Sequence, residues 1–406
     1  MKKVFIVYAS AGAGHQKAAE ALYEYLKRTR PDLCLKLIDI LDYSNHIVKF
    51  SYSKGYIFLI TKFPWAWYLL YRLSSFFANN YFRLFSDYLA CQPFVDLLKK
   101  EKPDVVVSTH FLTSGVLSVF KKKHPQYLMG QSTGDLIPCH SRESGNPDSR
   151  DSPVKPGNDR IPPFSDRLPQ DVFRLITIIT DYTLHPYWIG DGVDSYIASC
   201  EYVKDCLLTK KIQKDKIKVY GIPVKEKFYL PSDRKTAAQK LGVDPLKFTA
   251  LIMTGAVGIG PIKEIVQALA DDVQLLVICG KNQRLFDRLT KLNLANVKVY
   301  PLIDYVDELM SVSDVVLTKA GGLTISESLA KGLPMIFFSS IPGLETANEE
   351  VICESGAGIK GKSVEEIKNT LFSLKANPSL YQDTKQKAIN LRKVTTLKDL
   401  SMETSS

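Results

Sequence analysis

Apolar residues along the N-terminal half of the chain change repeatedly between two spacings. A continuous apolar run at Val4–Tyr8 predicts a buried strand, and apolar positions three and four residues apart in Gln16–Lys27 predict the helix that follows. Further continuous runs predict strands over Leu33–Ile40, Asp104–Ser108 and Leu175–Thr180. Strands that alternate with helices favour a parallel α/β sheet.

A second alternation of strands and helices begins near Tyr220. It predicts a strand over Phe248–Met253, a glycine loop and a helix over Pro261–Ala270. The same pattern continues through Gln274–Cys279, Val297–Tyr300, Val306–Met310, Val315–Thr318, Thr324–Ala330 and Pro334–Phe338. Glycine and proline in Gly221-Ile222-Pro223 mark a break in the chain. We therefore expect one α/β domain over 1–220, a second over 221–375 and a helical tail over 376–406.

Residues Phe50–Tyr88 interrupt the alternation with 15 aromatic side chains. One interpretation is a pair of helices whose rings fill the core. The other is a surface at a membrane interface, because aromatic rings beside basic side chains suit the headgroup region of a bilayer. No stretch of the sequence reaches the roughly 18 apolar residues that a membrane-spanning helix needs.

Composition and charge narrow the class of protein. The 406 residues are 45% hydrophobic and 24% charged, which is typical of globular proteins and excludes a disordered or collagen-like chain. A formal net charge of +10 favours an anionic partner such as nucleic acid, an acidic membrane or a phosphate-bearing ligand. The seven cysteines include no Cys-x-x-Cys pair, so we expect no metal site and a reducing, cytoplasmic environment.

The first glycine loop opens the first predicted helix and ends at His15. Gly12 and Gly14 let the backbone approach a ligand, and free N–H groups at a helix N-terminus favour negative charge. We expect His15 to face a cleft and to titrate near neutrality, as suits a general base, with a purely structural role as the alternative. A dinucleotide-binding loop, with Asp39 on the ribose, is disfavoured because Lys17 stands where a third glycine is required.

A second glycine loop, Thr254–Pro261, again joins a predicted strand to a helix. Gly255, Gly258 and Gly260 leave its backbone amides free to bind a diphosphate. Pro261 suits the first helical position, N1. The loop is not a Walker motif because no Gly-Lys-Ser/Thr follows. A mere tight turn is the alternative.

A third motif, Thr318–Pro334, predicts a strand, a glycine turn and a helix in that order. A second part of the motif, Pro342–Asn348, follows the next predicted strand. Ligands bind to α/β sheets at loops that follow the carboxyl ends of strands. One helical turn in, the carboxylate of Glu327 can accept hydrogen bonds from both hydroxyls of a ribose. Glu345 and Asn348 are candidates for sugar hydroxyls, and helix capping is the alternative for each.

Four blocks together resemble a family of GT-B-fold glycosyltransferases: the monogalactosyldiacylglycerol synthases and the processive diacylglycerol glucosyltransferases, relatives of MurG. The blocks are the loop Ser10–His15, the Thr-Asp, His-Pro and Trp block Thr180–Trp188, the hinge Tyr220–Val224, and the nucleotide-sugar signature Thr318–Pro334 with Pro342–Asn348. Leu344 stands where the family usually has glutamine. The resemblance covers most of residues 1–375. It implies an α/β fold of two Rossmann-like domains that face each other across a cleft.

The resemblance also implies roles for individual residues. His15 would be the base for the acceptor hydroxyl, in an acceptor-side loop with Gly12 and Gly14. Lys319 and helix N-termini would stabilise the departing UDP without a metal ion. The residues that would bind the donor are Gly255, Gly258, Gly260, Lys319, Gly321, Gly322, Thr324, Glu327, Glu345 and Asn348.

The implied reaction moves a hexose from a UDP-sugar to the hydroxyl of diacylglycerol, with inversion at the anomeric carbon. UDP-glucose or UDP-galactose would be a co-substrate, and no cofactor is expected. The aromatic segment and the positive charge would dock the N-terminal domain on an anionic membrane, as a peripheral protein at the cytoplasmic face of the cell membrane. Nucleic acid is not an expected partner.

The chain departs from the family between about Tyr127 and Val172, where extra residues are inserted. Within them, His140–Arg160 has one clear apolar residue, Val154, so we expect an exposed, disordered loop without a chemical role. A long surface insertion costs little closure entropy, but one that reached the cleft would obstruct it.

Three alternative functions stay open. An enzyme of the same fold that acts on a polyprenyl-linked or other lipid would differ in its acceptor alone. A UDP-sugar epimerase shares the fold but has no use for a lipid-facing aromatic segment. A basic membrane- or nucleic-acid-binding module would not depend on His15 or Glu327, and it would leave the three glycine loops unexplained.

Overall fold

The computed structural model of this chain describes residues 1–76, 81–124 and 173–405. Their strands form two six-stranded sheets in which all neighbouring strands are parallel. The α/β architecture agrees with the prediction. The predicted insertion between Tyr127 and Val172, with its polar loop, lies outside the described residues.

The N-terminal sheet has the strand order β2-β1-β3-β4-β5-β6. The strands are β1 Lys2–Tyr8, β2 Leu33–Asp39, β3 Val105–Ser108, β4 Arg174–Ile178, β5 Ser195–Ile197 and β6 Ile217–Lys218. Val4 of β1 lies opposite Leu35 on one side and Val105 on the other. Because β1 lies between β2 and β3, the order reverses there, and the loops after β1 and β3 open at the same edge.

The C-terminal sheet has the strand order β12-β11-β10-β7-β8-β9. The strands are β7 Thr249–Met253, β8 Gln274–Ile278, β9 Val297–Tyr300, β10 Val315–Thr318, β11 Met335–Phe337 and β12 Gly358–Lys360. β7 and β10 are neighbours, so the second glycine loop and the nucleotide-sugar signature leave the sheet side by side. This reversal of strand order is where α/β sheets bind ligands.

Helices cover the faces of both sheets. Those before residue 210 are α1 Ala13–Thr29, α2 His46–Phe50, α3 Tyr56–Lys62, α4 Pro64–Phe76, α5 Tyr81–Ala90, α6 Gln92–Glu101, α7 Phe111–Lys123 and α8 Glu201–Thr209. Those after it are α9 Arg234–Leu241, α10 Ile262–Leu269, α11 Gln283–Lys291, α12 Val306–Val312, α13 Gly322–Ala330, α14 Leu344–Glu354, α15 Val364–Ala376, α16 Pro378–Leu391 and α17 Thr396–Glu403. Pro261 is the N-cap of α10 and Ile262 is its first helical residue, so the prediction of Pro261 at N1 is wrong by one position.

The aromatic segment forms helices with one exposed and one inward side. Large apolar side chains at least 39% exposed are Phe50, Ile57, Phe58, Phe63, Trp65, Tyr68, Leu69, Leu70 and Leu73. On the inward side, the ring of Tyr52 lies 5.8 Å from that of His110, and Tyr71 lies 4.9 Å from His185. The segment therefore partly fills the interior, and it also leaves an apolar face uncovered. None of the helices in the described ranges combines the length and hydropathy needed to cross a bilayer.

The tail crosses back from the second sheet to the first. Leu397 and Leu400 of α17 are buried in one hydrophobic cluster with Val4 and Ile6 of β1. Arg174 of β4 forms an ion pair with Glu403. The last helix therefore stabilises the N-terminal sheet, although it follows the C-terminal sheet in sequence.

Candidate functional site

Three parts of the chain meet at the imidazole of His15. His15 lies in the first turn of α1, Thr109 directly follows β3, and Thr180 follows β4. Nδ1 of His15 is 2.9 Å from the carbonyl oxygen of Thr109 and 2.8 Å from Oγ1 of Thr180. A carbonyl oxygen can only accept a hydrogen bond, so Nδ1 carries the proton. Nε2 is then the lone-pair acceptor that a general base requires.

The expectation that His15 titrates near neutrality is wrong. Burial of the imidazole lowers its pKa to about 4, and the hydrogen bond to the Thr109 carbonyl only partly opposes this effect. The ring of His110 contributes to the packing, at 4.6 Å between centroids in an edge-to-face contact. His15 is therefore neutral at physiological pH, which is the protonation state in which a base accepts a proton.

The loop after β7 depends on glycine at three positions. Gly255, Gly258 and Gly260 have φ values of 72°, 61° and 117°, a region that side chains rarely adopt. A Cβ on Gly258 would also lie 2.5 Å from the carbonyl oxygen of Cys279. A Cβ on Gly255 would lie 3.3 Å from Cε of Lys319, so this loop runs beside the loop that follows β10. Diphosphate binding by its amides stays a prediction.

Lys319 and Glu345 form an ion pair beside this loop. Nζ of Lys319 is 2.5 Å from Oε1 of Glu345, and Oε2 accepts a hydrogen bond of 2.8 Å from the backbone N–H of Ile341. Gly321 is the N-cap of α13, where a Cβ would lie 3.7 Å from the same Oε1. Thr324 follows, half-buried, in the first turn of α13. The structure thus brings Lys319 and Gly321 of the predicted signature to the carboxylate of Glu345.

Glu327 lines a cavity of about 490 Å³ to which both halves of the chain contribute. Lys17 of α1, Lys227 of the segment between the sheets, and the loop 302–306 after β9 line it as well. Burial raises the pKa of Glu327 to about 7, although Lys17 and Lys227 act in the opposite direction. A buried carboxyl in a cavity of this size suits a hydroxylated ligand, and the ribose contact stays a prediction.

Asn348 of α14 is fully buried between the two sheets. Its Oδ1 accepts hydrogen bonds from the N–H of Tyr182 at 2.8 Å and from the hydroxyl of Thr183 at 3.2 Å. Its Nδ2 donates to the carbonyl of Ala320 at 3.2 Å and to Oδ1 of Asp181 at 3.5 Å. The amide of Asn348 therefore already hydrogen-bonds to four protein groups. The predicted sugar contact stays a prediction without geometric support.

Two predicted glycines lie where the halves of the chain approach each other. A Cβ on Gly322 would clash with the carbonyl oxygen of Thr180, and a Cβ on Gly14 would lie 3.7 Å from Cβ of Leu323. Gly12 is instead the exposed N-cap of α1. Gly322 thus permits the contact between the sheets, a role that the sequence alone did not suggest.

Sequence reasoning gave no site role to the residues that surround the predicted ones, although Thr180 and Asp181 belong to the block Thr180–Trp188 that carries the resemblance. Thr109 and His110 follow β3, and Thr180 and Asp181 follow β4; their positions after strands were the available signal. Burial raises the pKa of Asp181 to about 6, with Glu345 adding to the shift, and its carboxylate accepts a hydrogen bond of 3.2 Å from Nε1 of Trp188. Within the described ranges, no three His, Cys, Asp or Glu side chains are placed to hold a metal ion.

Two family models match this chain. The model described as monogalactosyldiacylglycerol (MGDG) synthase matches residues 15–141 and 167–224. The model described as glycosyltransferase family 28 C-terminal domain matches residues 253–398. The first match stops and resumes within the predicted insertion, and the second contains the nucleotide-sugar signature.

Two bacterial relatives match over most of their own length, and a plant relative matches over less than half of its own. The processive diacylglycerol β-glucosyltransferase of Bacillus subtilis is 27% identical over 100% of this chain and 93% of its own. The enzyme of the same name from Bacillus licheniformis is 27% identical over 95% and 90%. A probable monogalactosyldiacylglycerol synthase of Nicotiana tabacum is 35% identical over 48% of this chain and 38% of its own.

Solved structures show the same fold. MurG of Acinetobacter baumannii has a TM-score of 0.53 and 15% identity, with 100% of this chain and 99% of that chain covered. A UDP-GlcNAc 2-epimerase of Neisseria meningitidis has a TM-score of 0.57 and 15% identity, with 99% of each chain covered. At this level of identity, the likeness establishes the GT-B fold and does not extend to activity.

Proposed function

This chain belongs to the GT-B glycosyltransferase family of the monogalactosyldiacylglycerol synthases and the processive diacylglycerol glucosyltransferases, and on that premise we propose that it transfers a hexose from a UDP-sugar to diacylglycerol. The product is a membrane glycolipid. The observation that carries the proposal is a neutral His15 whose Nδ1 is held by Thr109, located where α1 approaches the nucleotide-sugar signature.

In the proposed reaction, Nε2 of His15 takes the proton of the acceptor hydroxyl. The oxygen then attacks the anomeric carbon from the face opposite UDP, and the configuration of the sugar is inverted. Lys319 and the amides of the loop at Gly255 and Gly258 stabilise the negative charge of the departing diphosphate. In this proposal these groups stabilise the diphosphate without a metal ion or cofactor.

The donor lies on the C-terminal half in this proposal. Glu327 accepts hydrogen bonds from the ribose, in the cavity that it shares with Lys17 and Lys227. Glu345 binds the hexose, and its carboxylate forms an ion pair with Lys319. UDP-glucose and UDP-galactose are both candidate donors.

The acceptor reaches the site from a membrane on which the protein lies as a peripheral protein. The uncovered face of α3 and α4 presents Phe58 at 57% and Trp65 at 71% exposure, and both are side chains that favour the interface of a bilayer. The net charge of +10 attracts the protein to an anionic leaflet. On the opposite side of the aromatic segment, the ring of Tyr52 contacts the ring of His110, which packs against His15. In this proposal the bilayer and the base therefore lie on two sides of the aromatic segment.

The test is a transfer assay on anionic vesicles that contain diacylglycerol, with labelled UDP-glucose or UDP-galactose. We expect a labelled glycolipid from the unmodified protein and a loss of about 100-fold or more with His15→Ala, as for removal of a general base. His46→Ala is the matched control, because His46 is exposed at the start of α2.

Calorimetry with UDP separates the ways in which this proposal can fail. Binding of UDP without a glycolipid from either donor would refute diacylglycerol as the acceptor. An isomerised UDP-sugar that appears without lipid would favour an epimerase. A protein that does not bind UDP would refute the glycosyltransferase reaction itself.

A further inference from the structure

We propose that Lys17 is a donor-binding residue that the N-terminal half contributes to the cavity at Glu327. Its ammonium group binds a ribose hydroxyl of the UDP-sugar opposite Glu327, so that the bound nucleotide joins the two halves of the chain. The inference rests on the proposed function, because it takes a UDP-sugar as the ligand of this cavity.

The first step is the way in which α1 and α13 lie side by side. Each helix follows the carboxyl end of a strand, and near these ends a Cβ on Gly14 would lie 3.7 Å from Cβ of Leu323. Residues three or four apart share one face of a helix, so Lys17 lies one turn beyond Gly14 on that face of α1. Glu327 likewise lies one turn beyond Leu323 on α13. Lys17 and Glu327 accordingly line the same cavity of about 490 Å³, one from each half.

The second step is that the ammonium group of Lys17 is available to a ligand. Two other lysines that line the cavity are already paired: Lys225 with Glu24 at 2.8 Å, and Lys227 with Asp307 at 2.6 Å. Lys17 is half-buried, and within the described ranges its Nζ makes no hydrogen bond or ion pair. A partly desolvated cation without a partner is unfavourable, so it favours a ligand that supplies an acceptor.

The third step is the state of the carboxyl group on the other side of the cavity. Glu327 is 5% exposed, and its side chain makes no hydrogen bond or ion pair with the residues that the structure describes. Lys17 lowers the pKa of this carboxyl group more than Lys227 does, against the effect of burial. The two groups are therefore near enough to interact without touching. A hydroxyl between them donates its hydrogen to the carboxylate and accepts a hydrogen bond from the ammonium group, and a ribose supplies two adjacent hydroxyls.

The fourth step connects this contact to the reaction. Lys17 follows His15 by two residues in α1, so one helix carries both the proposed base and a contact to the nucleotide. A nucleotide held between Lys17 and Glu327 fixes α1 relative to α13. Binding of the donor therefore also fixes the helix on which the base is placed.

The experiment measures the Kd for UDP by calorimetry in Lys17→Met and in Lys225→Met. Lys225→Met is the matched control because it removes the same charge from the lining of the same cavity, whereas Lys225 is held by Glu24. We expect Lys17→Met to raise the Kd about tenfold or more, as for the loss of a hydrogen bond to a charged group. Lys225→Met should change it less than about threefold.

A ligand without ribose hydroxyls locates the contact. The unmodified protein and Lys17→Met should bind 2′,3′-dideoxy-UDP within about threefold of each other, because this ligand lacks the group that Lys17 binds. Lys17→Met combined with Glu327→Gln should raise the Kd for UDP by less than the product of the two single effects, since both residues bind one diol. If Lys17→Met does not fold, Lys17→Gln makes the same comparison.

Hydrogen exchange tests whether the nucleotide joins the two halves. With saturating UDP, the amides of α1 in the unmodified protein should exchange more slowly than they do without UDP. Lys17→Met should lose most of this protection, although its donor site is filled. A lysine that merely stabilises the fold would change the exchange of α1 with and without UDP alike.

Three results would overturn the inference. One is an unchanged Kd for UDP in Lys17→Met. Another is an equal loss of affinity for UDP and for 2′,3′-dideoxy-UDP, since that pattern belongs to a diphosphate contact. The third is equal protection of α1 by UDP in the unmodified protein and in Lys17→Met.

Failure of this inference differs from failure of the proposed function. Each of the three results would leave the transfer reaction intact. A protein that binds UDP and makes no glycolipid would refute the diacylglycerol acceptor, and the binding measurements on Lys17→Met would still decide the role of Lys17. A protein that does not bind UDP would overturn both.

Discussion

Burial moves the pKa values of His15 and Glu327 away from those of free side chains. The pKa of His15 falls to about 4, so the imidazole is neutral at pH 7. The pKa of Glu327 rises to about 7, so this carboxyl group changes its charge near physiological pH. The group that titrates near neutrality is thus the predicted ribose ligand and not the predicted base.

The pH dependence of the reaction distinguishes these two groups. The quantity kcat/KM reports the pKa values of the free enzyme. We expect it to fall below pH 7 as Glu327 is protonated, and we expect Glu327→Gln to lower the activity and remove this limb of the profile. A limb near pH 6.5 that persists in Glu327→Gln would show that His15 titrates in the usual range of histidine.

The same carboxyl group affects the free energy of unfolding. Since the pKa of Glu327 is higher in the folded than in the unfolded chain, the folded state binds more protons between about pH 4.5 and 7. Stability is therefore lost as the pH rises through this window, by up to about 3 kcal/mol from this group. Denaturant titrations at pH 5 and 7 should show a smaller loss in Glu327→Gln. An equal loss in both proteins would contradict the raised pKa.

Among the elements, α3 and α4 are unusual because they leave apolar side chains exposed on one side. Trp65 is 71% and Leu69 is 53% exposed, and nothing in the described chain covers them. Contiguous exposed apolar patches mark interaction sites on soluble proteins. The rings of Tyr52 and Tyr71 contact His110 and His185 on the inward side of the same segment. This arrangement agrees with our proposal that the acceptor arrives from a bilayer.

The exposed face can be tested by vesicle sedimentation. Trp65→Ser combined with Leu69→Ser should weaken binding to anionic vesicles by about 100-fold or more, because burial of each side chain contributes roughly 1.5–3 kcal/mol and every 1.4 kcal/mol or so is tenfold. The Kd for UDP should not change, because these residues do not line the cavity at Glu327 in which we propose that the donor binds. Leu246→Ser is the control, since Leu246 is 89% exposed on the other half. Equal vesicle binding by the double variant and the control would exclude this face as the docking surface.

At the scale of the whole molecule, contacts among the described residues join the halves both at the site and through the tail. Asn348 and Gly322 join them at the site, and α17 joins them at the far end of the chain through Leu400 and the Arg174–Glu403 ion pair. Thr396 adds a hydrogen bond of 2.5 Å from its hydroxyl to the carbonyl of Tyr220, where the second half begins. The halves are thus fixed at both ends of their contact.

Removal of apolar contacts made by α17 should destabilise the N-terminal half. Leu400→Ala should lower the free energy of unfolding by about 2–5 kcal/mol, because Leu400 is fully buried beside β1. Val394→Ala is the control, since Val394 is 55% exposed, and it should change stability by less than about 0.5 kcal/mol. Chemical denaturation measures both; similar values for the two variants would show that the tail is not part of the fold's core.

Hydrophobic spacing was sufficient to predict the main strands to within about two residues, because continuous apolar runs are needed wherever a parallel sheet is buried on both faces. It missed the short strands Ser195–Ile197, Ile217–Lys218 and Gly358–Lys360, since two or three residues carry no clear period. These short strands form because neighbouring strands offer their hydrogen bonds, which is a tertiary effect.

The sequence by itself determined the α/β class, the three glycine loops and the family, because strand periodicity, helix starts and positive-φ turns are local requirements of the chain. Only the tertiary structure decided which groups surround His15, what Asn348 contacts and how burial shifts the pKa values of His15 and Glu327. These properties arise from residues far apart in sequence, such as Thr109, Thr180 and Lys17, and they exist only once the tertiary structure has brought these residues together.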